Sequence, residues 1–471
     1  MSVETVLGSQ RGLIVAPAGC GKTHLIINTL SVTAAKPYLV LTHTTAGVAA
    51  LKQRLKRLSV PAKNYVVTTI DGWALRFAKF FPILCPIHSQ PEQPRAFYPE
   101  LRRTVSYVLQ AGNVNDIIQA SYSHLLVDEY QDCNLDQHQM IQALSNTLPT
   151  IVFGDPMQCI FNFSGPMPDW SANVQAYFPL LATLNRPWRW DNAQTPELGS
   201  WILRGREALS NGGHIDLRSC PAHVNFQPLT ENTTIDVQNQ QNAHYAILEQ
   251  HPEESVLVLG DPKRPGLRHA FAQHTLGLDV VEPVDLGDVV RAASGFDNAR
   301  GESLARSLLT AVSEMMTKVE ISKTLERLDS IQARKNRREP TPLELSLLCL
   351  IQESSRESIL KVLQHLSAKT GARVYRKVAF NALRDAVLLS TQRQDETIRE
   401  AASIIREQRR HQGDKRISNR AIGSTLLLKG LECDHVLILD AGNMEANHLY
   451  VALSRGAKSI TAFSKSNIVG V

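Results

Sequence analysis

"GLIVAPAGCGKTHLIINTL", residues 12–30, is the stretch on which the fold turns. An apolar run, Leu13 to Val15, leads into a loop that holds Gly19 and Gly21. The loop opens onto Lys22, Thr23 and a segment with helical spacing. Strand, glycine loop and helix in that order make a cradle for phosphate. The glycines let the backbone curl so that its N–H groups face inward. The helix start adds the positive end of its dipole. In such a loop Ala16, Pro17, Ala18, Gly19, Cys20 and Gly21 wrap the phosphates. Lys22 reaches the β- and γ-phosphates, and Thr23 ligates Mg2+. Ala16 stands where the commonest pattern has Gly. ATP and Mg2+ are the ligands this pattern predicts.

A phosphate loop needs a carboxylate at the end of a second strand. "HLLVDEYQDC" (124–133) supplies one. Burying a carboxylate without a partner is costly, so a cation or water must meet these acids. Asp128 is the expected Mg2+ partner. Glu129 is placed to polarise an attacking water.

Further runs of the same apolar kind recur at 38–42, 65–70, 150–155, 255–260 and 435–441, several with helical spacing between them. "TAGVAALKQRLKRL" (45–58) puts Val48, Leu51, Leu55 and Leu58 on one face. Continuous apolar strands alternating with helices predict an α/β fold with parallel sheets covered on both sides. Residues 286–410 differ. "SLARSLLTAVSEMMTKV" (303–319) stripes Leu304, Leu308, Val312, Met315 and Val319, and Thr341, Pro342 and Glu344 form a capping-box start. Ile359, Val362, Leu363 and Leu366 repeat the helical period. This block reads as a helical insertion.

The chain has 471 residues, room for two to four domains at about 150 residues each. Its 43% hydrophobic and 20% charged residues exclude global disorder. A net charge of +5 leans basic without proving a nucleic-acid partner. Seven cysteines with no CxxC pair support neither zinc nor a disulfide framework, which fits a reducing cytoplasm. No apolar run reaches 18 residues and no signal peptide is apparent, so no membrane association is expected.

With "APAGCGKT" and "DEYQD" the sequence resembles the superfamily 1A DNA helicases of the UvrD/Rep/PcrA type. The other motifs appear in that family's order: 41–55 resembles motif Ia, "TTIDGWALRFAK" (68–79) Ib, "GDPMQCIFNFSG" (154–165) III, "LNRPWRW" (184–190) IV, 424–439 V, and "YVALSRGAKS" (450–459) VI. The resemblance implies two RecA-like P-loop NTPase motor domains. The first covers 1–180, with a reduced accessory insertion at about 81–120. The second covers 181–471, with the helical insertion at about 286–410. It implies that Gln158 senses the γ-phosphate, that Arg455 and Arg189 are arginine fingers, and that Trp188 stacks on adenine. Arg186 is the alternative to Arg189 in a second register. Glu432 would touch the ribose beside Gly430. His43, Thr69, Phe161 and Phe163 would contact single-stranded DNA. Two basic clusters, Arg327/Arg334/Lys335/Arg337/Arg338 and Arg406/Arg409/Arg410/Lys415/Arg416, are solvated faces or phosphate contacts.

The sequence departs from that family in places. Gln10, twelve residues before Lys22, is too close to serve as the usual adenine-reading glutamine. Ser164 replaces an arginine, and Ile70-Asp71 replaces Phe-His. Both accessory insertions are small. The expected function is an ATP- and Mg2+-dependent helicase or translocase moving 3′-to-5′ on single-stranded DNA or at a single/double-strand junction. The alternatives are a DNA-gated ATPase that regulates a partner nuclease, as in a phage-defence pair, and an inactive nucleic-acid-binding assembly subunit.

Overall fold

The computed structural model describes residues 1–91, 93–161, 165–283, 285–412 and 418–470. Phe163, Ser164, Lys415 and Arg416 lie outside the described residues, as does the side chain of Arg410.

Six strands form the first sheet: β1 (Arg11–Val15), β2 (Tyr38–Thr42), β3 (Tyr65–Thr69), β4 (Leu125–Val127), β5 (Thr150–Gly154) and β6 (Leu180–Thr183). Their order is β3-β2-β4-β5-β1-β6, and every pairing is parallel. Successive side chains of a strand point to opposite faces. Leu13, Val15, Leu39, Leu41, Leu125 and Val127 accordingly enter one core, with Trp73, Phe77 and Leu101. Ile14, Tyr38, Val40, Leu126, Ile151 and Phe153 enter the other, with Ile26, Leu51 and Leu55. Both faces are buried, which is why these strands read as unbroken apolar runs. Each fully buried Leu or Val is worth roughly 1.5–3 kcal/mol over its exposed state. At Gly12 a Cβ would stand 2.3 Å from Leu181, so glycine lets β6 close on β1.

A second six-stranded sheet runs in the order β10-β11-β9-β12-β13-β8. Its members are β8 (Val224–Pro228), β9 (Val256–Leu259), β10 (Asp279–Val280), β11 (Arg420–Gly423), β12 (Cys433–Ile438) and β13 (Gly456–Ser464). The pairings β10–β11, β11–β9 and β13–β8 are parallel. β7 (Ile215–Asp216) and β14 (Ile468–Val469) form a small antiparallel pair. The α/β fold with two parallel-strand sheets is the one expected. β6, β8, β10, β11 and β13 were not.

By internal contacts the chain divides into two compact units. One holds Met1–Leu229, Gly430–Val436 and Asp440–Val471; the other holds Thr230–Lys429 and Leu437–Leu439. Within the second, the stretch expected to be helical carries helices from Gly287–Asn298 through Ile398–Gln412 around one core that includes Leu308, Leu347, Leu363 and Leu383. Thr341 and Glu344 make the expected capping box. The helix Gly301–Ser313 ends earlier than its sequence stripe, yet Met315 and Val319 are buried beyond it. Leu58, expected on the buried face of its helix, is instead exposed at the C-cap. Strong burial of Arg376 is balanced by Glu282, with Nε to Oε1 at 2.6 Å.

Candidate nucleotide site

The carboxyl ends of β2, β4, β5, β1 and β6 stand side by side, so the motifs that follow them meet along one edge of the sheet. That edge is where parallel α/β sheets bind ligands.

The loop after β1 needs both of its glycines. Gly19 and Gly21 have φ of 72° and 89°, where L-residues are strained. A Cβ on Gly19 would also meet Trp190 at 2.8 Å and the Arg189 Cβ at 2.9 Å. Ala16 N–H donates to the Gly154 carbonyl at 2.9 Å, and Ala18 N–H donates to the Tyr450 hydroxyl at 2.9 Å. Pro17 and Cys20 are buried. Burial, then Asp155, pushes the Cys20 thiol up to about 12, so it stays protonated and inert. The helix Lys22–Ser31 has Gly21 at its N-cap with no side-chain cap, which leaves its first-turn N–H groups to the loop. Thr23 sits in its first turn, half-buried.

Lys22 lies between two carboxylates. Its Nζ is 3.0 Å from Asp128 Oδ1 and pairs closely with Glu129. Burial opposes the ammonium charge, but Asp128 and Glu129 outweigh it and hold Lys22 above its ordinary value. One cation against two carboxylates leaves negative charge in excess. Burial, and then Glu129, accordingly raise the Asp128 carboxyl in spite of Lys22. Glu129 itself has φ of 55°. Gln131 Nε2 donates to Glu129 Oε2 at 2.6 Å. Behind this turn Tyr130 and His138 share a buried hydrogen bond of 2.7 Å. Burial lowers the His138 ring to about 4, so it is neutral at pH 7.

After β5, Asp155 is fully buried. The Gln158 amide donates to its Oδ2 at 3.0 Å, and Arg206 pairs with it at 2.6 Å.

Arg189 lies against the loop: its N–H donates to the Gly19 carbonyl at 3.1 Å. Its guanidinium bonds the Ser454 carbonyl and pairs with Glu432 at 2.7 Å. Burial would raise the Glu432 carboxyl, but Arg189 outweighs it and holds it below the usual range. Arg455 is buried and spends its donors on Val451 O (2.9 Å), Leu431 O (3.1 Å) and Ser454 Oγ (2.8 Å). Burial, then Arg189, pulls it down to about 10. Arg186 lies instead over the Trp188 ring at 3.6 Å and pairs with Asp191 at 3.0 Å. Trp188 stands by Gly21, whose added Cβ would be 3.1 Å from its ring. Gly430 has φ of 81° in open space.

Lys22, Asp128, Glu129, Gln158, Arg189, Glu432 and Arg455 thus belong to one compact unit. Of the residues expected at DNA, His43 and Phe161 come together, with ring centroids 5.6 Å apart. The Thr69 hydroxyl accepts the Gly72 N–H at 3.0 Å as a helix cap. Asp71, where the resemblance has His, takes a forked pair from Arg102 at 2.7 and 2.6 Å. In the basic clusters, Arg327 is engaged with Glu344 and Arg406 with Glu407. Sequence reading missed Asp155, Gln131, Tyr450, Asn447 and Arg206. The first three sit inside quoted motifs. Arg206 and Asn447 had no local signal.

Residues 98–179 match the family model of the UvrD/REP helicase N-terminal domain. A search of curated protein sequences returned no match. Among solved structures, the arterivirus nonstructural protein 10 (helicase) is similar at 8% identity and TM-score 0.30, over 98% of this chain and 61% of that one. The same arterivirus protein in complex with DNA aligns at 11% identity and TM-score 0.28, over 56% of this chain and 50% of that one. This chain therefore covers less than two thirds of the length of those structures. By the family match and by the order of its motifs, the chain resembles the UvrD-like helicases of superfamily 1.

Proposed function

We propose that the chain is an ATP-dependent helicase or translocase of the UvrD type that moves 3′-to-5′ on single-stranded DNA. The observation that carries this reading is Lys22 held between Asp128 and Glu129, with Arg189 and Arg455 in the same unit. Residues 1–180 and 181–471 would be the two motor halves, with insertions at about 81–120 and 286–410. Its setting would be the cytoplasm; among the described residues no helix is long and apolar enough to cross a membrane.

The donor set fits Mg2+. The Thr23 hydroxyl and the Asp128 carboxylate are hard oxygen ligands, and the excess negative charge around Lys22 suits a divalent cation. Bound there, Mg2+ would neutralise phosphate charge. The chain's own groups do the rest. The loop 16–21 and Lys22 bind the phosphates. Glu129 takes the proton of the water that attacks the γ-phosphorus, and the bond to ADP breaks. Gln158 reads the γ-phosphate. Arg189 and Arg455 stabilise charge on the transferred group. Each must first give up its present partners, Glu432 for Arg189 and backbone carbonyls for Arg455. Hydrolysis then follows rearrangement of the second motor half, which is the coupling a motor needs. Trp188 would stack on the base, Glu432 beside Gly430 would meet the ribose, and His43 and Phe161 would stack on DNA bases with Phe163, Thr69 adding a contact.

The test is steady-state ATP hydrolysis with and without single-stranded DNA, beside Lys22→Ala, followed by displacement on tailed duplexes. Stimulation absent from the mutant, with displacement only from 3′ tails, is expected. Stimulation without displacement would replace this reading with the DNA-gated regulator of a partner nuclease. No hydrolysis at all would replace it with the binding subunit.

A further inference from the structure

Asp155 is a node. Its carboxylate accepts from Arg206 Nε (3.0 Å to Oδ1, 3.2 Å to Oδ2) and from Arg206 Nη2 (2.6 Å to Oδ1). It also accepts from the Met157 N–H at 3.2 Å and from the Gln158 amide at 3.0 Å. Its own N–H donates to Gln131 Oε1 at 3.1 Å, and Gln131 in turn donates to Glu129. The side chains assigned to the γ-phosphate and to the attacking water therefore both connect to this buried residue, Gln158 directly and Glu129 through Gln131. Burial works against the Arg206 charge, and the bonds to Asp155 more than offset it.

Arg206 lies on the helix Pro196–Ser210, which follows the short helix Trp188–Asn192 that bears Arg189. A second tie comes from the helix Ala446–Leu453. There the Asn447 amide donates to Cys159 O at 2.8 Å and to Pro156 O at 3.4 Å. The turn Pro156–Gln158 is thus gripped by two elements that sequence places far from it. A buried ion pair can be exchanged for apolar packing with little loss of stability, so stability alone does not call for this one. What the guanidinium fork adds is geometry. It fixes the plane of the carboxylate, and so the direction of the oxygen that holds Gln158.

We propose that Arg206 is a positioning residue for ATP hydrolysis: through Asp155 it aims Gln158 at the γ-phosphate. The inference rests on the ATPase reading above and adds to it a residue outside every motif. A lysine would keep the charge without the fork. Arg206 also ties the sensor turn to the helix Pro196–Ser210, which follows the short helix that carries Arg189.

The experiment uses the full chain and two readouts: steady-state ATP hydrolysis, and the affinity ratio of fluorescent ATPγS to fluorescent ADP. The variants are Arg206→Gln, Arg206→Lys, Gln158→Ala and the double Arg206→Gln/Gln158→Ala, each with its melting temperature. Arg206→Gln is expected to lower kcat about tenfold or more, as misplacement of a catalytic group does. It should also erase the preference for triphosphate. Arg206→Lys should recover melting but not kcat, and Arg206→Gln should add nothing once Gln158 is gone. Multiplying losses in the double variant, or full recovery of kcat in Arg206→Lys, would overturn the inference while leaving the ATPase reading intact. A wild type that neither hydrolyses ATP above Lys22→Ala nor prefers the triphosphate would overturn both.

Discussion

Changing Glu129 to glutamine separates chemistry from stability at a single atom. In the structure Glu129 faces Lys22 with one oxygen and accepts from Gln131 with the other. At an effective dielectric near 20, unit charges about 4 Å apart interact by about 4 kcal/mol. Glu129→Gln loses one such attraction to Lys22 and relieves a repulsion of similar order from Asp128. The side chain is 31% exposed, so screening shrinks both terms. The two nearly cancel, and the remaining Lys22–Asp128 pair is balanced one to one. Folding stability should move by no more than about 1 kcal/mol. Hydrolysis should not survive, since a positioned general base contributes about 10²- to 10⁴-fold. The assay is single-turnover ATP hydrolysis on purified Glu129→Gln, with a urea unfolding curve and an ATPγS binding curve on the same material. Nucleotide binding should persist. Hydrolysis within about threefold of wild type would refute the assignment of the base. A loss of several kcal/mol would refute the charge argument.

Other consequences are as direct. Arg102→Ala strips the forked partner from Asp71 and should cost about 2 kcal/mol, discounted from the buried-pair range because Asp71 is 27% exposed; Asp71→Asn in the same chain should recover part of it in urea denaturation. His43→Ala and Phe161→Ala should each weaken single-strand binding by about 1–3 kcal/mol in a fluorescence titration and leave DNA-independent hydrolysis alone. Burial lowers His138, His244 and His269 each to about 4, with nearby arginines adding for the last two. The unfolded chain then binds more protons between pH 6.5 and 4, so stability should fall as pH drops through that window, by up to about 3 kcal/mol per ring. Urea midpoints at pH 7 and 5 check this, and His138→Gln should flatten part of the slope.

The central strands were legible because burial on both faces leaves nothing but apolar residues in them. β6 and β8 escaped notice for the opposite reason: each is the outermost strand of its sheet and half-exposed, and its composition resembles a loop. The glycine loop after β1 and the Asp128–Glu129 pair beside Lys22 could be read because each is local, a few residues long, with chemistry tied to residue type. Arg206 could not. Its partner is 51 positions away, and an arginine on a helix carries no mark of what it will meet. Arg455 shows a middle case. Its role as a finger follows from a motif, while its hold on Val451 and Ser454 of its own segment and on Leu431, 24 positions away, depends on burial that no pattern displays.

The hydrogen bond from Ala18 to Tyr450 spans 432 positions. A ribosome adding about 5–20 residues per second needs roughly 20–90 s to cover that distance. Through that interval the glycine loop after β1 exists without the hydroxyl that braces it, and Arg189 without the Glu432 that holds it. A chain made only as far as residue 430 therefore lacks both the brace of this loop and the partner of Arg189. The same arrangement gives the helix Ala446–Leu453 a remote hold: cutting the backbone before it would free a loop 432 positions away.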